Sequence, residues 1–140
     1  KVETGQAPIG HGYTYSGHAV GAGVVIACLD ETQCLNVKDN AAARGAELYQ
    51  GLLDLQRDFD VIGDVRGGHG LMCALELVSD RTTKAPTDKS VPAKIQKTAY
   101  EAGTMVRVSG PNIILSPPLI LTSDDVSVIL AGLRAGFSEV

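Results

Sequence analysis

Two short stretches combine residue types capable of binding or catalysis. The first is Gly10-His11-Gly12-Tyr13-Thr14-Tyr15-Ser16-Gly17-His18, which sets two of the chain's four tyrosines between glycines, just ahead of a long apolar run. Glycine lets backbone approach a ligand closely, hydroxyls donate to anions, and a helix starting there presents its positive end. Two readings stand: a phosphate-binding turn, or a tight loop packed against its own domain. The second stretch is Met105-Val106-Arg107-Val108-Ser109-Gly110, where Arg107 interrupts an otherwise apolar strand. A guanidinium offers a planar fork of donors suited to a carboxylate; the other reading is a solvated edge arginine.

Other chemistries lack their residues. Gly21-Ala22-Gly23 has neither the third glycine nor the preceding strand of a dinucleotide fingerprint, and the sequence contains no GxxxxGK[ST] or HExxH. His11, His18 and His69 have no carboxylate at ligand spacing, so no metal is expected. Ser16 lacks the glycine two positions earlier that a nucleophile elbow requires. Cys28, Cys34 and Cys73 are odd in number and form no CxxC, which predicts free, buried thiols.

The elements that position these residues follow from pattern. The chain has 140 residues, 44% hydrophobic and 20% charged, as a folded domain should. Its 12 Lys and Arg against 16 Asp and Glu give a net charge of -4 with no basic run, so nucleic acid is not an expected partner. The longest apolar stretch, Ala19–Leu29, is too short to span a membrane, and no signal-like segment opens the chain, so a cytoplasmic protein off the membrane is expected. Lys1–Gly12 reads as loop. Ser16 is placed to cap a helix that is apolar on all sides and so predicted to be buried, a cover that a lone 140-residue domain would struggle to supply.

From Val37 to about Arg57, Ala41, Gly45, Leu48, Leu52 and Leu55 fall at helical spacing. Val61–Arg66 and Leu71–Val78 read as an antiparallel pair around Gly67-Gly68-His69-Gly70, and Ser79–Lys89 as an exposed excursion. Val91–Ala102 is a predicted helix with Ser90 as cap and Gly103 beyond its end. Met105–Val108 and Ile113–Leu115 are predicted strands around Ser109–Asn112. The last helix is capped by Thr122 or Ser123, with Val126, Ile129, Leu130, Leu133 and Phe137 in one stripe. The fold class is α+β: a small, mostly antiparallel sheet with helices on one face, preceded by a long buried helix.

A family resemblance joins these pieces. HGYTYSGHAVGAGVVIACLD (residues 11–30), VIGDVRGGHGLMCALELVSDRTTKAP (61–86) and GTMVRVSGPNIILSPPLILT (103–122) resemble, in order and spacing, three motifs of the class III, pyridoxal-phosphate-dependent aminotransferases of the ω-amino acid:pyruvate type. The chain departs at Ala19, where the family usually has proline, and in the hairpin, where GGHG carries one residue more than the common pattern.

The resemblance implies that residues 1–35 are the end of the large domain and its interdomain helix, and that 36–140 are the small carboxyl-terminal domain of a fold-type I enzyme. It implies that Thr14 hydrogen-bonds the pyridoxal 5'-phosphate phosphate across a homodimer interface, that Tyr13 lines that pocket, and that Arg107 binds the substrate carboxylate. An amine and a keto acid are the implied small-molecule substrates. The family's Schiff-base lysine lies upstream of the first motif. Lys1, Lys38, Lys84, Lys89, Lys94 and Lys97 all fall outside its motif, so no catalytic residue is expected in this chain and turnover by the chain alone is not expected. The alternative is a stand-alone ligand-binding, regulatory or dimerisation α+β module without catalysis.

Overall fold

A computed structural model describes residues 10–140; the loop expected over Lys1–Gly12 lies, for residues 1–9, outside the described residues. The chain divides into two units, 1–35 and 36–140.

In the first unit, α1 (Ala19–Cys34) follows a turn at residues 14–17. Its cap is His18 rather than the predicted Ser16: His18 Nδ1 accepts from the Gly21 amide at 3.0 Å, while Ser16 sits too early and its Oγ accepts from the Tyr13 amide at 2.9 Å. The apolar surface of α1 runs all the way round, yet no residue of the helix is buried. The full burial predicted for it is corrected, while the expected difficulty of burying it within a lone domain of this length is borne out: among the described residues nothing covers Val20, Val24, Val25, Ile26 or Leu29. Cys28 and Cys34 share that exposure, so only Cys73 is the buried thiol expected of all three. Burial pushes the Cys73 thiol pKa up, opposed by a backbone hydrogen bond from Gly68.

The second unit opens with Asn36 in the left-handed region (φ 47°), followed by α2 (Val37–Asp58). As its spacing predicts, Gly45, Leu48, Leu52 and Leu55 are buried and Ala41 packs at the margin. Next come β1 (Ile62–Arg66) and β2 (Cys73–Asp80), antiparallel, with Val65 opposite Leu75 and Arg66 opposite Ala74. The loop between them needs glycine, since Gly67, Gly68 and Gly70 have φ of 152°, 87° and 77°.

β3 (Ala85–Pro86), α3 (Ser90–Glu101), β4 (Arg107–Ser109), β5 (Asn112–Leu115) and α4 (Ser123–Phe137) complete the chain. The sheet runs β1-β2-β5-β4, with every pairing antiparallel and β3 added to β2 off that path. Its inner face, including Val65, Leu75, Leu77, Ile113 and Leu115, meets Leu48, Leu52, Leu55, Ile95, Leu133 and Phe137 of the helices in one core.

Two local expectations are corrected and one is extended. Ser79–Lys89 is mostly exposed, as expected, yet it is tied down, because Ala85 and Pro86 pair with β2 and Arg81 folds inward. Arg81 Nε donates to the carbonyls of Asp60 and Ile62 at 3.1 Å each, and its terminal nitrogen to those of Phe59 (2.7 Å) and Gln56, so it clamps the last turn of α2 to the connection that leads into β1. Ser90 is the first residue of α3 rather than its cap; Asp88 Oδ1 accepts from the Ser90 amide at 2.8 Å. The β4–β5 turn is tighter than predicted, only Gly110 and Pro111, with Gly110 at φ 57°.

Thr122, one of the two caps foreseen for α4, forms a reciprocal capping box with Asp125. Hydrogen bonds from Thr122, its hydroxyl first and then its amide, hold the Asp125 carboxyl below the usual range. Helices α3 and α4 meet through missing side chains: a Cβ on Gly136 would stand 2.8 Å from the Ile95 carbonyl oxygen, and one on Gly132 2.2 Å from Thr104 Oγ1.

The same logic applies to α2, where a Cβ on Gly45 would lie 2.2 Å from the Gly70 carbonyl oxygen. Alanine is ordinarily the better helix former by about 1 kcal/mol, but overpacking against fixed backbone costs about 1–3 kcal/mol. Gly45→Ala is therefore expected to lower the urea midpoint of the 140-residue chain followed by circular dichroism; a raised midpoint would show that the hairpin yields.

Candidate functional site

The turn at residues 14–17 is built by short-range bonds. The Ser16 amide donates to the Tyr13 carbonyl at 3.0 Å and the His18 amide to the Tyr15 carbonyl at 3.1 Å, and Gly17 turns the chain at φ 79°. Around it the rings stack edge to face, His11 on Tyr13 at 4.8 Å and Tyr15 on His18 at 6.0 Å between centroids. The Tyr13 hydroxyl is hydrogen-bonded to His11 Nε2. Thr14 is exposed, and among the described residues its hydroxyl has no partner. The turn thus spends Ser16 and His18 on its own backbone and leaves Thr14 facing outward, one turn ahead of the start of α1.

Arg107 belongs to the other unit. Val106 is buried, so strand alternation sends Arg107 to the opposite, open face of the sheet. Register places Arg107 opposite Ile114, Ile114 opposite Ala74, and Ala74 opposite Arg66, making one cross-strand row on that face. Its two arginines differ. Arg66 donates to Glu76 at 3.1 Å and to Asn112 at 2.9 Å, with Asp64 at 3.5 Å. Arg107 has no hydrogen-bond or ion-pair partner among the described residues, and it borders a cleft of about 830 Å3 whose walls include Met105, Ile114, Pro117, Ile120 and Gln96. A cation set beside a largely apolar wall, with no carboxylate in ion-pair reach among the described residues, is equipped to take an anion from outside.

Of the residues singled out by sequence, Tyr13 and Thr14 come together on one turn and Arg107 stands in the second unit. Sequence reasoning missed Gln96, whose side-chain amide donates to the Val106 carbonyl at 2.8 Å; nothing in a helical pattern marks such a bond. It also missed Ile114, which only the register places beside Arg107. Among the described residues no group of three or more His, Cys, Asp or Glu is gathered as a metal ion would need.

Comparison with known proteins adds to this geometry. The family model described as aminotransferase class-III matches residues 1–136. The taurine–pyruvate aminotransferase of Bilophila wadsworthia is 31% identical over 134 residues, 91% of this chain and 29% of its own length. The diaminobutyrate–2-oxoglutarate transaminase of Halomonas elongata is 35% identical over 137 residues, 95% of this chain and 29% of its own. The crystal structure of an amine transaminase from an uncultivated Pseudomonas species, in its PLP-bound form, matches with a TM-score of 0.84 at 44% identity, covering 94% of this chain and 30% of that one. The chain therefore spans about three-tenths of the length of the relatives it matches.

Proposed function

The chain belongs to the class III aminotransferases, and from that membership we propose that it serves as the carboxyl-terminal part of an enzyme moving an amino group from an amine or ω-amino acid to pyruvate or a similar keto acid. The observation that carries the acceptor half of this reading is Arg107, turned out onto the open sheet face with no carboxylate partner among the described residues. On this reading residues 36–140 are the small domain and residues 1–35 the end of the large one.

Pyridoxal phosphate, when bound, supplies the electron sink on which transamination depends. The donor chemistry of the first unit fits its phosphate: Thr14 offers a hydroxyl without a partner among the described residues, with Tyr13 beside it as an aromatic wall. In the family's arrangement that hydroxyl reaches the neighbouring subunit's site, so a homodimer is part of the proposal. Arg107 holds the keto acid by its carboxylate, with the apolar Ile114 as its cross-strand neighbour. An amine without a carboxylate makes no demand on Arg107.

Among the described residues no lysine has the buried setting that a cofactor-binding amine needs. Lys38, Lys84, Lys89, Lys94 and Lys97 are all exposed, Lys84 is hydrogen-bonded to the Gly63 carbonyl at 2.8 Å, and Lys97 faces Glu101 at 3.7 Å. The 140-residue chain with added cofactor is therefore expected to show no turnover of amine and pyruvate; turnover abolished by replacing one of its lysines would sink the reading. In the holoenzyme, Thr14→Ala should weaken cofactor retention by about ten- to hundredfold, the worth of a hydrogen bond to a charged group at ~1.5–3 kcal/mol. Titration of the enzyme's visible absorbance measures it, and an unchanged affinity would place the phosphate elsewhere.

Arg107→Ala in the holoenzyme leaves the acceptor's carboxylate unpaired in a partly desolvated site, a loss of about 2–5 kcal/mol. The KM for pyruvate should rise steeply while the half-reaction with a carboxylate-free amine stays within a few-fold of wild type. Equal loss in both halves, or none in either, would remove Arg107 from acceptor recognition.

A further inference from the structure

Arg107 begins a three-residue strand at the edge of the sheet, paired on one side only, and a long side chain launched from so short a strand needs its base held. The ladder to β5 holds that base from one direction. From the other comes Gln96, which donates from α3 to the Val106 carbonyl at 2.8 Å in a partly buried setting. That carbonyl shares a rigid, planar peptide unit with the Arg107 amide and Cα. Fixing the Val106 oxygen therefore fixes the plane from which the arginine side chain departs.

The donor is itself well anchored. Gln96 stands between Ile95, which is fully buried, and Ala99, also fully buried, one turn on. Helix α3 is locked to α4 where Gly136 lies against Ile95 and Gly132 against Thr104 and Ala99. Thr104, the one buried polar residue among those described, donates to the Val128 carbonyl at 3.2 Å and so secures the approach to β4 as well. Gln96 also borders the cleft beside Arg107, so the bond is made at the wall of the site. Misplacing a binding group by about 1 Å costs on the order of a hundredfold in rate, and a tilted peptide plane is magnified along the length of an arginine.

We propose that Gln96 is a positioning residue for acceptor recognition: its side-chain amide, by holding the Val106 carbonyl, sets the orientation of Arg107 toward the keto acid's carboxylate. The proposal rests on the reading of Arg107 given above.

Gln96→Met in the holoenzyme removes the donor at nearly constant volume. It should raise the KM for pyruvate by about three- to tenfold, the worth of one neutral hydrogen bond. The maximal rate, the half-reaction with a carboxylate-free amine and the melting temperature should stay near wild type. Gln96→Asn, whose amide is one methylene too short to reach, should behave alike and serves if the methionine variant does not accumulate. In an Arg107→Ala background neither change should add to the loss. An unchanged KM for pyruvate, equal loss in both half-reactions with a lowered melting temperature, or a loss that persists without Arg107 would overturn the proposal. If Arg107→Ala itself shows no acceptor-specific loss, the reading beneath it fails instead; if it does and the Gln96 variants do not, this inference alone falls.

Discussion

Along a pleated strand neighbouring side chains point to opposite faces, and the second unit is organised around that alternation. Val106 is buried, so Arg107 turns outward; Ile113 and Leu115 point inward, so Ile114 comes out beside Arg107. Cys73, Leu75 and Leu77 do the same for Ala74 and Glu76 in β2. A slip of one residue in β4 would bury the guanidinium and expose Val106 and Val108 to water, a double cost that fixes the register. The tight Gly110-Pro111 turn and the glycine contacts between α3 and α4 hold the strands and helices where that register requires them.

Patterns that repeat within one element were legible in the sequence. The stripe of α2, the stripe and Thr122 cap of α4, and the glycine hairpin each rest on residues a few positions apart, and each is found where the spacing placed it. Features that depend on contacts between elements were not. Gln96 meets Val106 at a separation of 10 positions, across a helix end and loop, and Arg81 meets Gln56 at a separation of 25; neither leaves a periodic trace. The His18 cap was missed because serine is the commoner capping residue, and only the turn geometry shows Ser16 already bonded to Tyr13. For α1 the composition was legible, and so was the difficulty it creates, since uniform apolarity asks for a cover that the described residues do not supply.

The candidate site was legible in the same uneven way. Thr14, Tyr13 and Arg107 were identified by motif, and the sequence already set Arg107 among apolar residues. Arg66 also follows a valine in a strand and emerges on the same face. What separates the two is three-dimensional: Asp64, Glu76 and Asn112 converge on Arg66, while Arg107's cross-strand neighbour is Ile114. An arginine whose charge is matched at home contributes to the sheet surface, and one without a match is free for a ligand.

Arg81 binds almost entirely to main-chain oxygens, those of Gln56, Phe59, Asp60 and Ile62. Its one side-chain partner, Asp60 at 3.4 Å, is solvent-exposed and contributes little. Every residue type presents the same carbonyl, so this clamp is indifferent to what occupies positions 56 and 60. Mutational drift can therefore rewrite that corner of the surface, altering its charge or solubility, while a single arginine twenty residues away preserves its shape.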